Sequence, residues 1–110
     1  MILCCGEALI DMLPRETAQG APAFAPHPGG SVFNTALALG RLGVPAQMFT
    51  GLSSDLFGMM LRDQLHAAGV DTAAAVTSDR PTTLAFVTLT EGHAPSACYD
   101  ENTAGRMLTP

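Results

Sequence analysis

Two clusters in this sequence hold side chains able to grip a small molecule rich in hydroxyls: Asp11, closing an apolar stretch, and Gly29-Gly30-Ser31 with Asn34 just after it. A glycine pair ahead of a helix exposes backbone N–H groups in a zone of positive potential, which suits an anion or a hydroxyl. The Asn34 carboxamide offers both donors and an acceptor, and the Asp11 carboxylate only accepts, so together they suit a polyol. Each signal alone has a blander reading, because a glycine pair before a helix is also an ordinary turn. No G-x-G-x-x-G follows a strand and no G-x-x-x-x-G-K-[ST] occurs, so the glycines are neither a dinucleotide fingerprint nor a Walker-type phosphate loop. Of the other aspartates, Asp55 reads as a helix cap, Asp63 as a solvated helix position and Asp71 as a turn. Asp79 and Asp100 have no basic partner specified.

Metal chemistry finds no such cluster. Cys4 and Cys5 are adjacent and Cys98 is distant, which gives neither a paired disulfide framework nor a C-x-x-C spacing, and His27, His66 and His93 stand apart from one another. Reduced, structural thiols and no metal site are expected. The formal net charge is -5 with five Lys and Arg in 110 residues, which argues against a nucleic-acid partner. No apolar run approaches the roughly eighteen residues of a membrane span, and no basic segment precedes the short apolar start, so a soluble, cytoplasmic protein without a membrane partner is expected.

The elements that must position the two clusters follow from pattern. Residues 1–5 form an apolar run closed by Gly6, which reads as a strand buried on both faces of a parallel sheet. Residues 14–28, rich in Pro, Ala and Gly, read as an irregular excursion with short edge strands at most. Ser31 is the expected N-cap of a helix to about Leu42, ended by Gly43, and Gly40 inside it implies a close packing contact. Residues 46–51 read as a strand, Ser53-Ser54-Asp55 as caps, and Phe57, Met60, Leu61, Leu65 and Ala68 as one face of a second helix stopped by Gly69. A strand is expected over 70–76. Strand alternating with helix is the signature of a parallel α/β sheet. Residues 82–90, a turn at Glu91-Gly92 and residues 96–100 then read as a hairpin in a separate small sheet. On its first strand Thr83, Ala85, Val87 and Leu89 alternate with Leu84 and Phe86.

Gly6-Glu7-Ala8-Leu9-Ile10-Asp11, the run from Gly29-Gly30-Ser31-Val32-Phe33-Asn34-Thr35-Ala36 to Gly43, Leu52-Ser53-Ser54-Asp55-Leu56-Phe57-Gly58, and Pro81-Thr82-Thr83-Leu84-Ala85-Phe86-Val87 occur in that order. Together they resemble the N-terminal portion of the PfkB, or ribokinase-like, carbohydrate kinases, fructokinase-like members especially, over essentially the whole chain. The resemblance implies an α/β fold, part of a ribokinase-like fold, with a parallel sheet, flanking helices and a small β-sheet lid. Core segments would fall near 1–11 and 29–80 and lid segments near 12–28 and 81–100. It implies sugar-hydroxyl binding by Asp11, Gly29, Gly30 and Asn34, with Ala85, Val87 and Cys98 as inward lid contacts and Phe86 and Tyr99 supporting the lid. The implied reaction is transfer of the ATP γ-phosphoryl group to a primary sugar hydroxyl.

The same resemblance assigns the catalytic base, the anion hole, the nucleotide pocket, Mg2+ and any monovalent cation to the family's C-terminal half. No catalytic or metal-binding residue is therefore expected within these 110, and the chain alone is expected to be inactive. Two positions depart from the family pattern: Val32, where a small residue or proline is usual, and Ser53, where glycine is common. Tyr99-Asp100 lacks the arginine that kinases of acidic sugars tend to carry there, which favours a neutral sugar such as fructose. Dimerisation through the lid would follow family habit. The rival expectation is a non-catalytic sugar-binding or oligomerisation module, and open apolar sheet faces would in either case favour self-association.

Overall fold

The computed structural model of the chain describes residues 1–87, the backbone of 96–99, and residues 103–104. Along them run β1 (Ile2–Cys5), β2 (Leu9–Glu16), β3 (Pro22–Gly29), α1 (Ser31–Arg41), β4 (Ala46–Phe49), β5 (Gly51–Ser53), α2 (Leu56–Ala67), β6 (Val76–Ser78), β7 (Leu84–Val87) and β8 (Ser96–Tyr99). Two parallel pairs, β1 with β4 and β5 with β6, carry the helices. A separate four-stranded sheet has the order β3-β2-β7-β8. The α/β class and the small second sheet are those expected from pattern.

The core gathers between the helices and the parallel strands, around Phe33, Met48, Leu52, Leu61 and Leu65, with Ile10 of β2 fully buried beside them. β1 does not meet the expectation of burial on both faces: Cys4 is buried, whereas Ile2 and Leu3 are 46% and 52% exposed. The described residues give β1 one strand neighbour and a helix against one face, so its other face stays open.

Three segments differ from expectation. The excursion over 14–28 is instead most of a regular hairpin, with β2 and β3 paired in register from Leu9↔Gly29 to Glu16↔Pro22. Its prolines fit because of parity. The Ile10 N–H donates to the Thr83 carbonyl, so even-numbered residues of β2 turn their backbone groups toward β7 and odd-numbered ones toward β3. In the partner strand Pro22, Pro26 and Pro28 are then all turned outward, where a missing N–H costs nothing. The expected strand over 46–51 is broken into β4 and β5 around Thr50. The one expected over 70–76 shrinks to a bridge between Gln47 and Asp71, followed by a turn and then β6. There the Asp71 carboxylate accepts from the Ala73 N–H at 2.9 Å, and that local bond competes with the ladder.

Both helices end in the same way, with Gly43 and Gly69 at positive φ. The Val44 N–H reaches the Leu39 carbonyl and the Val70 N–H that of Leu65, the long bonds of two Schellman motifs. The N-cap of α1 is Gly30 rather than Ser31, because the chain enters with φ 110° and ψ 135°, which glycine adopts readily. Helix α2 starts at Asp55, as its sequence indicates. Gly40 has its expected packing reason, since a Cβ there would run into the Ala68 carbonyl at the end of α2. At Gly58 a Cβ would strike the Ser53 carbonyl, so the first turn of α2 lies directly on β5.

Asp55 ties these parts together. Its carboxylate accepts from the Gly58 N–H at 2.7 Å, the Thr82 N–H at 2.9 Å and the Thr82 hydroxyl at 2.6 Å. Burial alone would push this carboxyl up. The Thr82 hydroxyl and N–H, then Gly58 and Ser53, outweigh that and hold it below its ordinary value of 3.8.

Because the folded pKa is depressed, the stabilisation is complete above the unfolded value and fades as pH falls through the folded one. The difference in thermal midpoint between wild type and Asp55→Asn should thus be large near neutrality and shrink as the pH is taken below the ordinary carboxylate value and through the lowered one. A pH-independent difference would contradict this. Gly58→Ala should cost about 2–3 kcal/mol by overpacking, against about 1 kcal/mol for Gly43→Ala, where nothing lies within 4 Å and only the backbone angle is strained. Denaturant midpoints of the two variants measure the contrast.

Candidate functional site

Asp11 lies in the part of β2 that is paired on both sides, opposite His27 of β3 and Ala85 of β7. The diagonal neighbour of Asp11 across the β2–β3 pair is Gly29, and a Cβ added there would collide with the Asp11 carboxylate. A larger residue at 29 would turn the carboxylate aside. Gly30 is required twice over, by its positive φ and by the Glu7 carbonyl, 2.6 Å from where its Cβ would stand. Asp11 thus sits against the chain at the point where α1 begins.

The N-terminal end of α1 carries no side-chain cap. Ser31, Val32 and Phe33 have no carbonyl one turn earlier within the helix, so their N–H groups face the entrance. The first intrahelical bond runs from the Asn34 N–H to the Gly30 carbonyl at 2.9 Å, which puts the exposed Asn34 one turn into the helix. Asp11, Gly29 and Gly30 thus lie at the junction between the four-stranded sheet and α1, and Asn34 stands one turn into that helix. The groups around that junction are a carboxylate that accepts and helix N–H groups that donate, with a carboxamide that does both one turn further on.

The β7 positions complete one face of the sheet. Ala85 is buried, sits beside Asp11 and pairs with Cys98 of β8, and Val87 is half-buried and pairs with Ser96. Leu89, Glu91, Gly92, His93 and Asp100 lie outside the described residues, as do the side chains of Cys98 and Tyr99. Phe86, on the opposite face, meets Phe24 of β3 edge to face with ring centroids 5.2 Å apart, joining the strands on either side of β2.

Both departures from the family pattern have a local account. Val32 rests where a Cβ on Gly6 would be, 2.6 Å from its Cγ2, so the bulk added at one position is matched by its absence at the other. Ser53 accepts from the Asp55 N–H through its hydroxyl at 3.0 Å, a bond glycine could not provide.

Thr82 is the residue that sequence reading passed over. It is buried and holds Asp55 by two bonds, and the partners are 27 positions apart, so no local pattern announces the contact. Among the described residues no group of three or more His, Cys, Asp or Glu side chains could hold a metal ion. No helix among them is long and apolar enough to cross a membrane.

Comparison with known proteins matches the same features. The family model described as pfkB family carbohydrate kinase covers residues 1–110. A fructokinase of Rhizobium leguminosarum bv. trifolii is 57% identical over 109 residues, 99% of this chain and 33% of that protein. Fructokinase-1 of Zea mays is 39% identical over 114 residues, 99% of this chain and 35% of that protein. The crystal structure of fructokinase from Xylella fastidiosa superposes with a TM-score of 0.89 at 38% identity, covering 97% of this chain and 36% of that one. A structure of fructokinase from the same organism with bound ATP gives 0.88. The chain spans about a third of the length of the relatives it matches. With the motifs, the fold and the family match all running through the same residues, the chain belongs to the pfkB family of carbohydrate kinases.

Proposed function

We propose that this chain forms the sugar-holding part of a kinase that transfers the γ-phosphoryl group of ATP to a primary hydroxyl of a neutral sugar, fructose above others. The observation that carries this reading is the Asp11 carboxylate seated against Gly29 at the uncapped start of α1. The fructokinases among its relatives support the choice of sugar, and so does the absence of a cation at Tyr99-Asp100 that could meet a substrate carboxylate.

In this reading Asp11 accepts from two sugar hydroxyls or one shared pair, Asn34 donates and accepts at a neighbouring hydroxyl, and the backbone at Gly29 and Gly30 lets the ring approach closely. Ala85 and Val87 with Cys98 form the inner wall of the lid. Phosphoryl transfer depends chiefly on positioning and charge stabilisation, so a firm grip on the acceptor is the contribution these residues make. The described residues do not form a nucleotide cradle or a metal site, and no step through ATP or Mg2+ is routed over them. The base that takes the hydroxyl proton, the nucleotide pocket and any monovalent-cation site belong to the part of the relatives that lies outside this match. A second copy paired through the lid would be compatible with the site.

In the complete protein, Asp11→Asn should raise the half-saturating fructose concentration by about tenfold to a hundredfold, since it weakens charge-assisted bonds, and Asn34→Ala by about tenfold. The KM for ATP should stay within about twofold for both, because neither residue is assigned to the nucleotide. Gly29→Ala should behave like Asp11→Asn, as the added methyl displaces the carboxylate. Fructose binding without phosphorylation would instead support a non-catalytic sugar-binding module, and unaltered sugar affinity in all three variants would refute the site.

A further inference from the structure

Among the described residues β7 meets β2 at Ile10↔Leu84, Asp11↔Ala85 and Met12↔Phe86. A slip of one residue in this pairing would turn every side chain of β7 to the opposite face. Asp11 would then have Leu84 or Phe86 beside it instead of Ala85. Where β7 starts therefore decides which residue stands beside Asp11.

The segment just before β7 is held from three directions. The Thr82 N–H and hydroxyl both donate to the Asp55 carboxylate. The Thr83 carbonyl accepts from the Ile10 N–H at 3.0 Å, and the Thr83 hydroxyl donates to Thr103 at 2.8 Å. The Pro81 carbonyl accepts from the Ala104 N–H at 2.9 Å. Thr82 and Thr83 are 5% and 1% exposed, so the Thr83–Thr103 bond is buried and the Asp55–Thr82 bonds are partly shielded from water. Asp55 is itself fixed by capping α2, whose first turn is pressed onto β5 through Gly58. A line of rigid contacts therefore runs from the parallel strands through α2, Asp55 and Thr82 to the residue beside Asp11.

We infer that Asp55 is a positioning residue for the sugar site, acting through Thr82 to keep Ala85 beside Asp11. This rests on the reading of Asp11 as a sugar ligand given above. A carboxylate suits the task because it accepts from both Thr82 groups and from the Gly58 N–H at once. An amide in its place keeps an oxygen for Gly58 and the Thr82 hydroxyl but turns an NH2 toward the Thr82 N–H, so Asp55→Asn separates the clamp from the cap.

The test is steady-state kinetics of the complete protein with fructose and ATP. Asp55→Asn and Thr82→Val are each expected to raise the fructose KM by about tenfold while the ATP KM moves less than about twofold. Thr82→Ser, which keeps the hydroxyl, should recover most of the loss. A lowered thermal midpoint with an unchanged fructose KM in both variants would reduce the clamp to a stability feature and overturn the inference. If Asp55→Asn does not fold, the Val and Ser exchanges at Thr82 carry the comparison. Asp11→Asn run alongside separates the two readings: a raised fructose KM there without one in the clamp variants overturns the clamp alone. No effect at Asp11 overturns the sugar reading and the clamp with it.

Discussion

A carboxylate and a helix entrance can share one small volume here because position 29 has no side chain. The Asp11 carboxylate fills the space a Cβ at Gly29 would need, and the same backbone, one residue later, takes the positive φ that admits it to α1. The hairpin register, the start of the helix and the site therefore depend on one steric allowance. Were Gly29 any larger, the Asp11 carboxylate would have to turn out of that space. Gly30 extends the constraint to the β1–β2 connection through the Glu7 carbonyl, so three consecutive parts of the chain converge on two residues without side chains.

How much of this was legible in the sequence depended on how local the cause was. The two helices, their glycine stops and the cap at Asp55 are set within a few residues, and pattern located them well. Ser31 as N-cap failed by one position, because the entering backbone angle outweighs the value of a serine hydroxyl. The proline-rich excursion became a regular hairpin for a reason composition does not display: the prolines share one parity, and parity matters only once the neighbouring strand is known. Residues 70–76 failed as a strand because Asp71 bonds its own chain. Asp11, Gly29, Gly30 and Asn34 were identified by family resemblance, whereas the steric reason for Gly29 needed coordinates. The Thr82–Asp55 contact, spanning 27 positions, left no local trace.

Asp55 shows how one acidic group can serve folding and site geometry together. Capping a helix and anchoring a distant strand usually fall to different residues. Here both use the same two oxygens, and the hydrogen bonds keep the group ionised despite partial burial. Parallel strands and the four-stranded sheet are consequently not independent layers, since the start of α2 and the residues just before β7 are joined by partly buried bonds.

The three outward-turned prolines of β3 have a consequence for the molecule's behaviour in a crowded solution. A long hairpin projecting from a small domain would ordinarily present a row of free donors on which another chain could add itself as a new strand. Along β3 that row is interrupted at Pro22, Pro26 and Pro28, leaving Phe24 as the sole intervening outward position with an amide to give. The donor row on this side is thereby cut to one amide by covalent chemistry, which makes the edge a poor template for a further strand.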